Sequence, residues 1–370
     1  MNDQTFQFCD ELGPKIIAHV YEPKADLRGI VVVDNVAVGP SIGGLRMAPD
    51  VSMQECLRLA RAMTYKNAAA GLPHGGGKSV IFADPAMDAA RKERTIRAFA
   101  HAIETMTDYI VGPDMGTNET AMAWVLDEIG RAVGLPRELG GIPLDEIGAT
   151  GFGLTASVEV AYQHLNLELA GARVVVQGFG SVGKHAARFL AAKGALLVAA
   201  ADSSGTIHDA GGFDVEKLIA FKNEGRRLGD FPGGRKLGRD RVIAVDCDIL
   251  VPAARPDVIR GDNQEQVKAN LIAQGANIGV TAEAERLLHE RGVLCLPDFI
   301  SNAGGVICAA VEYHGGSQAQ AFSEIEEKIR TNTGEVLERA ARQELMPREA
   351  AVEMAGDRIR AAMALRRWSS

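Results

Sequence analysis

Two lysines and an aspartate occupy positions where an apolar residue or a simple loop cap would be ordinary. Lys78 closes the run Leu72-Pro-His-Gly-Gly-Gly-Lys-Ser-Val80, in which three glycines lead into a strand expected over residues 79–82. A lysine that is partly desolvated and crowded by another cation titrates low enough to act as a general base near neutral pH. Lys66 falls on a helix expected from Ser52 to Gly71, in a stripe with Leu59, Met63 and Ala70 that is otherwise apolar. A buried ammonium is costly unless paired, so Lys66 is either an anion binder or a snorkelling residue at the helix end. Asp114, in Val111-Gly-Pro-Asp-Met-Gly-Thr-Asn118, precedes a glycine turn and a helix expected to begin near Asn118. It is either a working carboxylate or a helix cap. His74, beside the glycines, is either substrate-lining or a supporting or surface residue. No pair among the eight histidines has metal-ligand spacing, and no metal is expected.

A second constellation lies further along the chain. Arg173-Val-Val-Val-Gln-Gly-Phe-Gly-Ser-Val-Gly183 carries G-x-G-x-x-G directly after an apolar strand and before a helix expected over residues 184–192. In that setting Gly178 permits the tight turn, Gly180 lets backbone approach a pyrophosphate, and Gly183 allows close helix–sheet packing. The phosphates would rest on the helix N-terminus, where free N–H groups and the dipole favour anions. The next strand, residues 196–201, ends in Asp202, about 24 residues after Gly178. An acid there suits a ribose 2′-hydroxyl and repels a 2′-phosphate. The small hydroxyls of Ser203 and Ser204 follow and suit a 2′-phosphate. NAD is expected, with NADP left open.

The elements that must position these groups alternate between strand and helix. Residues 29–34 read as a buried strand, and Asp84-Pro85 opens a helix expected to end near Asp108. A Gly/Pro-rich passage from Glu138 to Gly151 interrupts both periodicities and is a plausible boundary. From Ala172 the order strand, glycine turn, helix, strand is that of a doubly wound parallel sheet, with later strands expected at 248–251, 271–273 and 293–296. From Ser323 onward the chain reads as amphipathic helix. The expectation is a two-lobed α/β protein: a substrate-binding and oligomerisation domain over 1–147, a Rossmann domain over 148–335, and C-terminal helices over 336–370 packing back across the lobes.

Composition narrows the partners. The 370 residues are 46% hydrophobic and 24% charged, with a net charge of -8, which argues against nucleic acid or an anionic membrane surface. The five cysteines, Cys9, Cys56, Cys247, Cys295 and Cys308, are scattered and odd in number, so a disulfide framework or a structural zinc is not expected. The N-terminus lacks the pattern of a secretory signal, and no run approaches the roughly 18 apolar residues that span a bilayer. A cytoplasmic location follows as the expectation.

Taken together, these segments resemble the glutamate/leucine/phenylalanine/valine dehydrogenase superfamily. MTYKNAAAGLPHGGGKSV (63–80) is similar to the corresponding segment of leucine and phenylalanine dehydrogenases. The likeness continues through GPSIGGLRMAPDV (39–51), GPDMGTN (112–118), ATGFG (149–153), VVQGFGSVG (175–183), CDILVPAA (247–254), GAN (275–277) and PDFISNAGGV (297–306). The resemblance implies a substrate lobe and a Rossmann lobe with catalysis in the cleft between them, and a homo-oligomer. It implies that Lys66 binds the substrate α-carboxylate, that Lys78 activates the attacking water, and that Asp114 shuttles protons to and from the amino group. Gly43, Gly44, Met63, Val306 and Asn302 would line the substrate. Thr150, Ala253, Ala254, Asn277 and Asn302 would meet the cofactor, together with Gly178, Phe179, Gly180, Ser181, Val182, Gly183, Asp202 and Ser203. The reaction implied is reversible, NAD(P)-dependent deamination of an L-amino acid to a 2-oxo acid and ammonia.

Two positions bear on the amino acid. Glutamate-specific members carry lysine at the place of Ile42 and serine at the place of Ala309, and both grip the distal carboxylate. Both are apolar here, which predicts a branched or aromatic side chain. The stretches 201–225 and 231–234 read more like glutamate dehydrogenases, so glutamate is the alternative, with His74 or Arg46 as the group that would hold the distal acid. A catalytically silent dinucleotide-binding sensor would be expected to lack one of Lys66, Lys78 and Asp114. A 2-hydroxy-acid dehydrogenase would rely on a histidine acid/base instead.

Overall fold

The computed structural model describes residues 6–368. The chain divides into two compact units, one of residues 1–143, 306–321 and 352–370, the other of residues 144–305 and 322–351. The boundary thus falls at 143/144 where the sequence suggests 147/148. The C-terminal helices are shared between the units, and residues 306–321 join the first.

The first unit is built on a five-stranded sheet, β1 (Ile16–Glu22), β2 (Leu27–Asn35), β3 (Ser41–Ala48), β4 (Gly75–Phe82) and β5 (Tyr109–Pro113), in the order β1-β2-β4-β3-β5. β1 and β2, and β2 and β4, pair antiparallel, whereas β3 runs parallel to both β4 and β5. Leu27-Arg-Gly-Ile-Val-Val-Val-Asp-Asn35 is buried at every position but Arg28, as a strand covered on both faces should be. The helices α1 (Met53–Ala69), α2 (Ala89–Ala102) and α3 (Glu119–Ile129) cover this sheet. Each has a side-chain cap: Ser52 accepts from the Glu55 N–H, Asp88 from Arg91 and Asn118 from Ala121. Two expectations change here. The helix foreseen from Asp84 begins at Ala89 because the cap is Asp88, and it ends at Ala102. The three glycines before Lys78 belong to β4 itself rather than to a turn ahead of it.

The second unit carries seven strands, β6 (Arg173–Gln177), β7 (Leu196–Asp202), β8 (Gly205–His208), β9 (Arg235–Leu237), β10 (Ile249–Pro252), β11 (Leu271–Ala273) and β12 (Leu294–Leu296), in the order β12-β11-β10-β6-β7-β8-β9. The five from β12 to β7 are parallel, and β8 and β9 add antiparallel at one edge. Val174 and Val176 point into one core and Val175 into another, so both faces of the sheet are covered, as in a doubly wound fold. The remaining helices are α4 (Leu144–Ile147), α5 (Ala149–His164), α6 (Ser181–Ala192), α7 (Val215–Asn223), α8 (Ala282–Glu290), α9 (Asp298–Ser301), α10 (Gly304–Tyr313), α11 (Gln318–Gln343) and α12 (Pro347–Met363). Among the described residues no helix is long and apolar enough to cross a membrane.

One local feature of the first sheet matters for everything after it. The β3–β4 register is constant, but no partners are matched between Ile42/Gly76 and Leu45/Ser79, where Gly43, Gly44, Gly77 and Lys78 lie, although Gly43 and Gly44 stay paired with Val111 and Gly112 of β5. The buried Tyr109 hydroxyl spans that interruption, donating to the Gly43 carbonyl at 3.0 Å and lying 2.8 Å from Ser79 Oγ. A Cβ on Gly43 would lie 1.8 Å from the Gly77 carbonyl oxygen, a backbone atom with no freedom to yield. On Gly44 it would meet Asp114 Cβ at 2.8 Å, the Pro113 carbonyl oxygen at 3.0 Å and Lys78 Nζ at 3.1 Å, none as close as the clash at Gly43. Gly44→Ala is therefore expected to fold with a loss of about 1–3 kcal/mol, the usual overpacking cost. Gly43→Ala should lose clearly more. Urea denaturation of the two variants checks this, and equal losses would contradict it.

Candidate functional site

Lys78 and Asp114 come from strands that are not neighbours. β4 carries Lys78, Asp114 follows the end of β5, and β3 runs between them. They meet over Gly44, where the Lys78 ammonium donates to Asp114 Oδ2. Asp114 does not cap a helix, since Asn118 does that. It is instead presented by a turn in which its N–H donates to Thr117 Oγ1 at 3.0 Å and its carbonyl accepts from the Thr117 N–H at 2.9 Å. Arg46, from β3, donates to the same Asp114 oxygen at 3.2 Å and pairs with Glu55 on α1. Burial alone would raise the Asp114 carboxyl. The Lys78 ammonium, its hydrogen bond and the Arg46 guanidinium outweigh burial and hold it below the usual carboxylate range. The site is thus an ionised carboxylate shared by two cations, with Lys78 6% exposed. Cys56, behind Lys78, takes no part in nucleophilic chemistry at neutral pH, since burial pushes its thiol up to about 12.

Lys66 and Met63 lie on the last turns of α1 and are half-buried. The core face of that helix is not the stripe through Leu59, Met63 and Lys66. It is the neighbouring one through Cys56, Ala60, Thr64 and Asn67. The small Cys56, Ala60 and Thr64 let the helix settle on glycines of β4, where a Cβ on Gly76 would lie 2.0 Å from the Thr64 backbone nitrogen. Lys66 therefore stands at the rim of the α1–β4 layer rather than in the core. Asn67 beside it donates to the Gly75 carbonyl at 2.6 Å.

The two positions expected to read the substrate side chain come together. Ile42 (4% exposed) and Ala309 (8%) share one apolar cluster with Ile110 and Val133, all within the first unit. The other groups considered for a distal carboxylate are already engaged. Arg46 is held by Asp114 and Glu55. His74 is buried, with Nδ1 3.0 Å from the Pro40 carbonyl and Nε2 3.0 Å from His314 Nε2. Burial and the neighbouring His314 push its pKa down against the pull of the Pro40 carbonyl, which favours the neutral ring. Ile110 and Val133 went unnoticed in the sequence because an apolar residue in a strand or loop carries no mark of which cluster it joins.

In the second unit the glycine fingerprint has the geometry a dinucleotide needs. Gly178 has φ +98°, and a Cβ there would strike Ala254 at 2.6 Å. Gly183 packs with its Cβ position 1.9 Å from the Gly178 carbonyl oxygen, whereas nothing lies within 4 Å of that position on Gly180. α6 begins at Ser181 with no side-chain cap, leaving its N–H groups for an anion. Gly178, Phe179, Gly180, Ser181, Val182, Asp202, Ser203, Ala253 and Ala254 all line one groove of about 1090 Å³. Gly183 lies beneath it. Asn277 and Asn302 pair with each other, Asn302 Nδ2 donating to Asn277 Oδ1 at 3.0 Å. Thr150 packs against Gly305, three residues beyond Asn302. Gly275, just before Asn277, backs onto Ala253 and Val182 of the groove. These residues fit the adenosine-diphosphate portion of a nicotinamide dinucleotide, with the two asparagines at the margin.

Asp202 is less available than its position suggests. Its Oδ1 accepts from the Ser204 N–H (2.8 Å) and hydroxyl (2.5 Å), and its Oδ2 from Lys222 Nζ (2.7 Å) and the Leu228 N–H (3.0 Å). Burial raises this carboxyl, but the four donors more than offset it and bring it to about 2. Lys222, Arg239, Arg241 and Arg255 also line the groove, a cationic set invisible to a motif because the segments that carry them lie 20–53 residues downstream of Asp202.

A family model described as Glutamate/Leucine/Phenylalanine/Valine dehydrogenase matches residues 140–367, and one described as Glu/Leu/Phe/Val dehydrogenase, dimerisation domain, matches residues 19–131. The chain is 37% identical over 357 residues to a glutamate dehydrogenase of Aeropyrum pernix, covering 90% of this chain and 85% of that protein. It is 36% identical over 312 residues to an NAD-specific glutamate dehydrogenase of Staphylococcus aureus, covering 80% and 75%. Among solved structures, the hetero-hexameric glutamate dehydrogenase of Thermus thermophilus in its leucine-bound form superposes with a TM-score of 0.85 at 30% identity, over 95% of this chain and 90% of that one. The L-tryptophan dehydrogenase of Nostoc punctiforme shares the fold, with a TM-score of 0.74 at 24% identity over 95% and 97%.

Arg46 is expected to set the pH range in which Asp114 is ionised. In Arg46→Leu the Asp114 pKa rises toward its ordinary value, so the acid limb of the pH–rate profile should move to higher pH while the alkaline limb stays. An acid limb that does not move would rule out Arg46 as the second cation acting on Asp114.

Proposed function

The chain belongs to the glutamate/leucine/phenylalanine/valine dehydrogenase family, and on that premise we propose that it deaminates an L-amino acid with an apolar, branched or aromatic side chain, or runs the reverse. It is an amino-acid dehydrogenase acting on CH–NH2 with NAD or NADP; the choice of amino acid is the proposal. The observation that carries it is the apolar cluster of Ile42, Ile110, Val133 and Ala309. A glutamate side chain there would bury a carboxylate without a cation, at a cost on the order of several kcal/mol. Arg46 and His74 cannot turn to it without abandoning the partners described above.

In this reading Lys66 holds the α-carboxylate and so orients the α-carbon. A bound nicotinamide would supply the hydride acceptor, and the substrate would then be an iminium ion for Lys78 and Asp114 to act on. Lys78, once its proton has gone to solvent, acts as the amine that takes a proton from the water adding to the iminium carbon. The Asp114 carboxylate then takes the hydroxyl proton of the resulting carbinolamine and passes it to the amino group, so that ammonia leaves and the 2-oxo acid remains. Asn277, Asn302 and Thr150 are assigned to the nicotinamide end. We further infer that both NAD and NADP are accepted, because Asp202 is neutralised by Lys222 and further cations line the same groove. A homo-oligomer working in the cytoplasm completes the proposal. The exposed edge strand β1, with Tyr21 69% exposed, supports association through the first unit.

Glutamate is the second reading, favoured by the names of the relatives and by the likeness of residues 201–225. The test is NADH and NADPH oxidation with ammonia and 4-methyl-2-oxopentanoate, phenylpyruvate, indolepyruvate or 2-oxoglutarate. Wild type is expected to turn over the branched or aromatic acids, and Ile42→Lys with Ala309→Ser to gain at least about tenfold on 2-oxoglutarate, the effect of one well-placed charge contact. Turnover of 2-oxoglutarate alone by wild type would overturn the apolar reading.

A further inference from the structure

Glu312 lies near the end of α10 and is 8% exposed, yet it is a carboxylate that the catalytic scheme does not use. Its Oε1 accepts from the N–H groups of Gly134 (2.7 Å) and Leu135 (3.1 Å), and its Oε2 accepts from the Ile142 N–H (2.6 Å). One side chain thus gathers both ends of the segment 134–142 onto the helix that also carries Val306 and Ala309. These three residues recur every third position and so share a face of α10. The segment is anchored on its other side by β5. The Val133 N–H donates to the Val111 carbonyl at 2.9 Å, and a Cβ on Gly134 would lie 2.5 Å from Pro113 Cδ, so the loop rests directly on the strand end. Val133, the residue between these two anchors, is the fourth member of the cluster with Ile42, Ile110 and Ala309.

We propose that Glu312 is a positioning residue for substrate choice: by clamping residues 134–142 to α10 it fixes Val133 opposite Ala309 and so sets the width of the side-chain pocket. A buried carboxylate is costly to desolvate, and here three backbone donors offset part of that cost. An apolar residue at 312 would leave those N–H groups without acceptors, and the loop would be free to drift. The wall it carries would drift too, whereas among the described residues no hydrogen bond or ion pair joins Glu312 to Lys78 or Asp114. This inference rests on the reading that Ile42 and Ala309 face the substrate side chain, and the test separates the two.

The experiment compares wild type, Glu312→Gln and Glu312→Ala in the full-length protein with the same four 2-oxo acids, adding NADH affinity by fluorescence. Loss of the clamp should raise the KM of the preferred 2-oxo acid about tenfold and shift selectivity toward the bulkier indolepyruvate, with kcat at saturation and NADH affinity within about twofold of wild type. Glu312→Gln, which keeps one acceptor oxygen, should fall between. If Glu312→Ala does not fold, Glu312→Gln and Val133→Ala carry the test, since widening the pocket directly should reproduce the selectivity shift. Unchanged selectivity in folded variants, or equal losses in kcat and NADH affinity, overturns the proposal. Should wild type prefer 2-oxoglutarate, the apolar reading fails, but the clamp still predicts a rise in the KM of that acid on Glu312→Gln and fails if none occurs.

Discussion

The contact between Lys78 and Asp114 across Gly44 is the constraint around which the first unit is arranged. Two charged side chains on strands once removed can touch only if the strand between them presents no side chain, and β3 presents a glycine there. Pairing of β3 with β4 is interrupted over Gly43-Gly44 while that with β5 continues, and the Tyr109 hydroxyl donates to the Gly43 carbonyl there. A half-buried ion pair is weak evidence for stability, since desolvation cancels much of the attraction. Its value here is chemical: a carboxylate held ionised and an ammonium held in one place, with a proton on the hydrogen bond between them. Arg46 and Glu55 extend the pair into a row of alternating charge anchored on both β3 and α1, which limits how far Asp114 can move.

Around that centre the first unit carries two kinds of surface, and in the proposed reading each serves a different part of the substrate. Charged groups at the α1 rim and over β3, where β4 and β5 present Lys78 and Asp114, suit the atoms every amino acid shares. The apolar cluster on β3, β5, α10 and the following loop suits what distinguishes one amino acid from another. One methylene in such a pocket is worth only about 1–3 kcal/mol, so selectivity within the apolar class depends on how firmly the walls are held. In the second unit the fingerprint provides a close backbone approach and an uncapped helix end, while Lys222 turns an acid that would exclude a 2′-phosphate into part of a neutral pair.

Much of this was legible in the sequence where a motif encodes a backbone requirement. Gly178 takes a positive φ and Gly183 packs against its carbonyl, as a tight turn into a helix requires, and the strands at 173–177 and 196–202 fall on the apolar runs. Asn118 and Asp88 as caps also carry a local signal, although Asp114 and Asp84 competed with them on sequence alone. The placement of Lys66 was less readable, because a stripe one position away from the true core face has nearly the same periodicity. What the sequence withheld is long-range. Nothing local relates Val133 to Ala309, Glu312 to Ile142, or Lys222 to Asp202. Each pair is joined only when strands or helices distant along the chain are folded together.

The central claim is that Lys78 and Asp114 carry the proton chemistry while the second unit binds the cofactor independently of them. The most direct measurement is turnover by Lys78→Ala and Asp114→Asn, alongside NADH binding by fluorescence in the same preparations. The account predicts that each substitution abolishes turnover, with NADH affinity unchanged from wild type. Near-normal rates in either variant would contradict it.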